Sequence, residues 1–484
     1  MKKISIKNIH ILILILGSIF VTISIFHKSL WFDETYSVAI ANHNLLEIWK
    51  IGGNDVHPVL YYWMLRIVCL LTNGSILAYR IFSAIPIILL GIVGFTYIRK
   101  DFGEKTGMFF SLITFFMPMS LVYANQIRMY SWSILIVTLF FIYSYRIYKG
   151  ESNLKNWILF GIFSLSSMYI HYYGLLTACI TNLLLFIYFI KNKKIKDIKY
   201  IILIGIIQII LYLPWVLYFM QQLKHVSEGF WITLKLEDKL KIIGAQFIGG
   251  ENLYLEFDAA CVIYLYLLIS IIRKRKNIDL KLIIISIAIY ISVICLAIFA
   301  QIIVKTPILY YRYLFVITGL YIFVLSYMLG KEKNIIVTLL ICFILIFMSS
   351  INLVYQLKQN YNKQNLEVIN FLNEYITNED EIVYRNIGLG SIIAVNFQNK
   401  QYFYNPEDWK VEEAYKAYGP QMDTYITSDF IQNLNNRIWI IDTADESIYN
   451  EFFNNENYNI IVNKCITTNY YEEYSYNIKL IEKK

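Results

Sequence analysis

Apolar runs close to twenty residues long recur along this chain from Ile9 to Tyr355. A helix rises about 1.5 Å per residue, so about twenty apolar residues cross the hydrocarbon of a bilayer. Backbone polar groups in hydrocarbon must bond to one another, which leaves helices as the form these runs can take. The chain is therefore expected to be a polytopic α-helical membrane protein. Composition agrees, with 57% of the 484 residues hydrophobic and 16% charged, against about 25% charged in a soluble domain. The first run, residues 9–26, is too long for the apolar region of a cleavable signal, and no small-residue cleavage site follows it. The net charge of +8 is spread over short loops rather than gathered on one face, so nucleic acid is not implied. Five of the six cysteines lie in or beside apolar runs and no CxxC pair occurs, which argues against disulfides and a thiolate metal site.

Spans are predicted at 9–27, 80–98, 106–123, 128–145, 157–170, 173–190, 200–219, 258–272, 282–304, 312–330 and 334–354, about eleven in all with thirteen as the upper bound. Their connections alternate in charge. One set is basic: Lys2, Lys3 and Lys7; Arg99, Lys100 and Lys105; Arg146, Lys149 and Lys155; Lys191 to Lys199; Arg273 to Lys281; Lys331 and Lys333. The turns near 120–128 and 171–173 together hold only Arg128. The positive-inside rule places the basic set, and the N-terminus, in the cytoplasm, and an odd number of spans puts the C-terminal segment outside. The run Pro58–Leu71 would invert this order if it crossed the membrane. It is only about 14 residues, and Tyr61, Tyr62, Trp63 and Arg66 suit an interfacial helix in the first outer loop, residues 28–79.

Residues 1–355 are thus expected to form the transmembrane domain and 356–484 a soluble α/β domain outside the membrane. In this tail, helix-like stretches (Asn362–Ile376, Ile431–Asn435, Ser447–Phe453) alternate with strand-like ones (Glu381–Arg385, Gln401–Tyr404, Arg437–Asp442, Tyr458–Val462, Tyr474–Ile481). Gly388-Leu389-Gly390-Ser391 lacks the rest of a dinucleotide-binding fingerprint.

With that topology, ionisable residues gather at the outer ends of the spans. Asp33, Glu34, Asp55 and His57 fall in the first outer loop, Gln126, Arg128 and Tyr130 at the next outer turn, His171, Tyr172 and Tyr173 at the third, and Lys305, Tyr310, Tyr311, Arg312 and Tyr313 at the fifth. Charges at this depth are costly unless paired or hydrated, and so are candidates for function. Each has a plainer reading. Asp33 and Glu34 could cap and charge the N-terminus of a helix over Thr35–Ile40. His57 could simply precede a helix whose first turn accepts Pro58, and His171 could be an interfacial histidine. Arg128 and Arg312 could snorkel to headgroups, and the tyrosines could form an aromatic belt. His43 and Glu47, four residues apart, read as a solvated helix face, and His225 carries no assignable signal.

Carboxylates and basic groups at one membrane face suit one reaction. A hydroxyl acceptor loses its proton as it attacks a sugar carbon, and a carboxylate can take that proton. A departing phosphate is stabilised by Arg, His or a divalent cation, and arginine's fork matches phosphate oxygens. A polyprenyl chain would lie in the bilayer between spans. The competing class is a transporter or a lipid flippase for an envelope glycolipid. Such a protein would show broken helices in two repeated halves with charges near mid-membrane, whereas here the charges gather at one edge and no half-repeat is visible. A third class is an assembly factor whose outer domain binds a cell-wall partner.

The order Trp31-Phe32-Asp33-Glu34, His57-Pro58-x-x-Tyr61-Tyr62, Gln126-x-Arg128-Met129-Tyr130, His171-Tyr172-Tyr173-Gly174 and Arg312-Tyr313-Leu314 resembles the GT-C glycosyltransferases. It is most similar to the branch of lipid-A aminoarabinose transferases, protein O-mannosyltransferases and lipopolysaccharide-core sugar transferases, over about residues 1–330. The resemblance implies a GT-C fold with interfacial helices in the first outer loop. It also implies transfer, usually with inversion, of a sugar from a polyprenyl-phosphate donor to a lipid, glycan or protein acceptor outside a bacterial cell membrane. By the same resemblance Asp33 is the general base. Glu34 supports the acceptor or a metal. His57, Arg128, Arg312, Tyr130 and Tyr62 face the donor phosphate. Glu34 and His171 would be ligands of a divalent cation. His57-Pro58-Val59 departs from the double proline common in relatives, which loosens that turn.

Overall fold

The computed structural model describes residues 5–229, 232, 235–250, 252–404, 415–419, 422–425, 434, 437–443, 448–453 and 457–484. Every predicted span falls on helix over most of its length. Among the described residues, eight helices are long and apolar enough to cross a membrane: Ile76–Phe102, Tyr130–Lys149, Tyr172–Lys191, Ile195–Glu228, Leu253–Lys274, Leu280–Val304, Tyr311–Gly330 and Ile335–Tyr375. A ninth is the pair Glu104–Phe116 and Pro118–Asn125, bent by 59°. The bend has a local cause. Pro118 opens the second helix without an amide hydrogen, and Met117 before it is extended (φ −88°, ψ 124°), as a residue preceding proline is driven to be. The two other predicted spans are the 17-residue helices Ile6–Thr22 and Leu154–Ile170. The second carries Asn156, Ser164, Ser166 and Ser167, which dilute its apolar face. Length and composition thus give eight or nine spans where eleven were expected. The molecule is a multi-pass membrane protein. Leu60–Thr72, at 13 residues, is a short apolar helix outside the spanning set.

The chain separates into two compact units. The first comprises Met1–Ile25, Val56–Tyr61 and Arg80–Gln356 and contains the long apolar helices. Its basic loops are tied together at one end. Arg146 makes a forked bond to Asp101 (2.8 and 3.1 Å), Lys149 pairs with Asp279 (2.9 Å), and Lys274 pairs with Glu332.

The second unit comprises Phe26–Asp55, Tyr62–Tyr79 and Leu357–Lys484. Its six strands are β1 (Glu381–Tyr384), β2 (Gln401–Tyr404), β3 (Met422–Tyr425), β4 (Arg437–Asp442), β5 (Tyr458–Tyr470) and β6 (Glu472–Lys483), in the order β3-β2-β1-β4-β6-β5. β1 pairs in parallel with β2 and β4, and β2 with β3, while β6 runs antiparallel to β4 and β5. The central strand β1 is buried throughout, as a parallel strand covered on both faces must be. Val383, Tyr402, Ile438, Ile440, Ile448 and Ile481 form a core against the sheet. Four of the five predicted strands match within one or two residues at each end, and β5 runs further than expected. The stretch Asn362–Ile376 forms a 3-10 turn followed by the helix Glu367–Tyr375, and Ser447–Phe453 forms the helix Ile448–Phe452, with Ser447 outside the described residues. Apart from Leu434, the expected helix Ile431–Asn435 also lies outside them. The sequence reading missed β3 and the helix Ile387–Asn396, whose Gly388 and Gly390 lower helix propensity. Gly390 stands there because a Cβ would strike the buried ring of Tyr384.

Candidate active site

The breaks between helices of the first unit hold most of the predicted site residues. The chain is extended at His171 (φ −165°, ψ 145°), between the helices Leu154–Ile170 and Tyr172–Lys191. Its ring is surrounded by other rings: Tyr313 at 5.3 Å, Tyr173 at 5.6 Å, Tyr130 at 5.9 Å and His57 at 6.1 Å between centroids. His171 Nδ1 caps the following helix by accepting the Tyr173 amide hydrogen at 3.1 Å. Burial, followed by the nearness of His57 and Arg128, holds the ring's pKa well below the usual histidine range. The neutral ring with Nδ1 as acceptor must carry its proton on Nε2. That atom is buried with no hydrogen-bond partner among the described residues. His171 therefore presents a donor.

A cation on Nε2 would need the lone pair there and would move the proton to Nδ1, breaking the helix cap. Among the described residues no group of three or more His, Cys, Asp or Glu side chains comes together to hold an ion.

Arg128 lies in the turn between Pro118–Asn125 and Tyr130–Lys149, where its amide bonds to the Gln126 carbonyl at 2.8 Å. Its side chain is 4% exposed, so it is enclosed by protein rather than snorkelling outward. Tyr130 packs on Tyr123 at 4.6 Å, and Tyr123 on Phe315 at 4.7 Å. The Arg312 guanidinium lies 5.1 Å from the Tyr310 ring centre. His57 is buried and Pro58 precedes a helix that begins only at Leu60, so the proline is not part of a first helical turn. A cavity of about 160 Å³ opens beside His57, His171 and Tyr313, with Leu176, Phe219 and Ala297 on its apolar walls.

Arg80 is a buried charge that the sequence reading missed. It is completely buried, and its guanidinium donates to the Asn125 carbonyl at 2.5 Å. Ser24 donates to the Asn125 side chain at 2.7 Å. The signal was present as an arginine inside an apolar run, Ala78-Tyr79-Arg80-Ile81-Phe82, but it stood at the predicted start of a span and was taken for a boundary.

Asp33, Glu34 and Tyr62 belong to the second unit. The helix Phe32–Ile40 starts before the acids, with Trp31 at its N-cap and no side-chain cap bond. Neither acid is the cap. Both lie in the first turn, where the helix dipole favours negative charge. They differ in burial: Glu34 is enclosed, while Asp33 remains partly exposed. A base must reach its substrate, so this difference favours Asp33. Tyr62 is buried, edge-on to Tyr36 at 5.8 Å.

Compared by sequence, the chain matches no family model and no curated protein. Compared by structure, it is similar to ArnT from Cupriavidus metallidurans. With the apo form the TM-score is 0.67 at 8% identity, over 97% of each chain. With the form bound to undecaprenyl phosphate the TM-score is 0.61 at 9% identity, again over 97% of each. The match extends beyond residue 330, the limit of the sequence resemblance, into the C-terminal domain. At such identities the likeness is one of fold, and this chain shares the fold of ArnT.

Proposed function

We infer that the chain is a membrane glycosyltransferase that moves a sugar from a polyprenyl-phosphate donor to an acceptor hydroxyl. The observation that carries this reading is the fold shared end to end with ArnT, a protein solved with undecaprenyl phosphate. It is supported by an apolar cavity walled in part by His57 and His171. In this reading Arg128 and Arg312 hold the donor phosphate, with Tyr130, Tyr62 and His57 around it and the His171 Nε2–H donating to an oxygen. The acceptor oxygen attacks the anomeric carbon, and its proton passes to the Asp33 carboxylate. The bond from that carbon to the phosphate oxygen breaks, and its electrons leave with the polyprenyl phosphate. Arginine and histidine donors stabilise that charge. Glu34 supports the acid loop from its buried position. The N-terminus is cytoplasmic and the reaction takes place on the opposite face, where the sparsely charged turns lie.

The test uses full-length protein reconstituted in vesicles with polyprenyl-phosphate sugars. Asp33→Asn should lower transfer by two to four orders of magnitude, about the contribution of a positioned base, while folding is preserved. Full activity in that variant would remove Asp33 from the mechanism.

A further inference from the structure

The acid-bearing helix cannot hold its own first turn. Phe32–Ile40 has nine residues and lacks a side-chain cap. Helices of this length are marginal without tertiary contacts. Besides Tyr62 and Arg66, contacts from the C-terminal part of the same unit fix it. Trp31, at the N-cap, packs on Tyr471 with ring centres 5.2 Å apart. Tyr36 packs edge-on to Tyr418 at 6.2 Å. A ring nitrogen of His43 bonds to the Ala417 carbonyl at 2.9 Å. Between these lies one polar contact. The Thr35 hydroxyl donates to the Phe32 carbonyl at 2.7 Å, so its oxygen is left to accept from the Tyr418 hydroxyl 3.3 Å away. Thr35 is fully buried and Tyr418 nearly so. A hydroxyl pair in such a place is oriented by its geometry rather than by water.

We propose that Tyr418 is a positioning residue for Asp33, and that the C-terminal domain thereby helps to build the acceptor side of the active site. The Tyr418–Thr35–Phe32 chain pins the backbone turn from which the Asp33 side chain projects. The surroundings agree. Tyr418 and Tyr474 both have raised pKa values, chiefly from burial, and the Asp33 carboxylate adds to each. Tyr474 lies against Gly388 at the start of the Ile387–Asn396 helix, so the acid faces tyrosines from two separate elements of the domain. Small misplacements of a catalytic group are costly, which makes such a contact kinetically visible.

This inference rests on the glycosyltransferase reading with Asp33 as base. The experiment measures steady-state transfer by full-length wild type, Tyr418→Phe, Thr35→Val and the double variant, with melting temperatures as folding controls. Each single variant should lower kcat about tenfold and leave the KM for the donor within twofold. The double variant should lose no more than the worse single one, because both changes cut the same chain of bonds. A merely structural role would give additive losses, or losses that follow the melting temperature, and either would overturn the proposal. If wild type transfers sugar and Asp33→Asn does not, an unimpaired Tyr418→Phe overturns this inference alone. If wild type transfers nothing, the functional reading falls and takes this inference with it.

Discussion

In the first unit, Arg128 and His171 sit at breaks between helices that are otherwise apolar, and His57 is buried beside them in ring contact with His171. In the second unit, Asp33 and Glu34 sit in the first turn of a short helix held in place by residues more than 370 positions further along the chain. The comparison shows two ways of building a polar site. In the bundle the surroundings are apolar enough that Arg128 and His171 stand out at their turns, and the helix breaks that carry them follow from local sequence. In the second unit polar residues are common. The acids acquire their meaning only through long-range packing.

The contrast can be broken first at the acids themselves. Asp33→Asn should remove most of the transfer rate and leave the melting temperature nearly unchanged, since its side chain is partly exposed. Glu34→Gln should do the reverse in part, lowering stability by about 1–3 kcal/mol through disturbed hydrogen bonding of a fully buried group. Thermal melts and rates on the same preparations separate the two. Equal behaviour of the two variants would mean that burial does not distinguish base from scaffold.

Packing gives the next effect. A Cβ on Gly174 would strike the Ser167 backbone carbonyl, and a Cβ on Gly390 would strike the Tyr384 ring. Overpacking of this kind costs about 1–3 kcal/mol. Gly174→Ala should be the worse of the two, because a helix backbone moves less readily than a ring. Denaturation of the two purified variants would show it. A larger loss for Gly390→Ala would mean that the sheet unit is the more rigid.

The smallest effect is a dependence on pH. His171 has an ordinary pKa near about 6.5 when unfolded and a lower one in the fold. The neutral ring's contribution is therefore complete above that value and is lost as pH falls through it towards the folded pKa. Wild type should be destabilised by about 1 kcal/mol per pH unit over that descent. His171→Asn keeps a capping acceptor and should flatten the dependence. An unchanged slope would place the acid sensitivity elsewhere.

Legibility differs between the units for the same physical reasons. The spans were readable because length and hydropathy act locally. The bend at Met117-Pro118 was announced by its proline, but the apolar run continued past it and was read as one span. Arg80 was visible but was placed at a boundary, because its partner Asn125 lies 45 residues away. Asp33 could be picked out by its neighbours Trp31 and Phe32, and the order of motifs led to the fold. The Tyr418–Thr35 contact spans 383 residues, and no local pattern marks it. Nor did the sequence reveal that His171 Nδ1 is used as a helix cap.

The most direct measurement incubates the purified protein with a panel of polyprenyl-phosphate sugars and membrane extract and follows the products by mass spectrometry. A glycosylated acceptor should appear together with an equal amount of free polyprenyl phosphate, and both should vanish with Asp33→Asn. No transfer from any polyprenyl-phosphate sugar, or transfer that survives Asp33→Asn undiminished, would contradict the assignment.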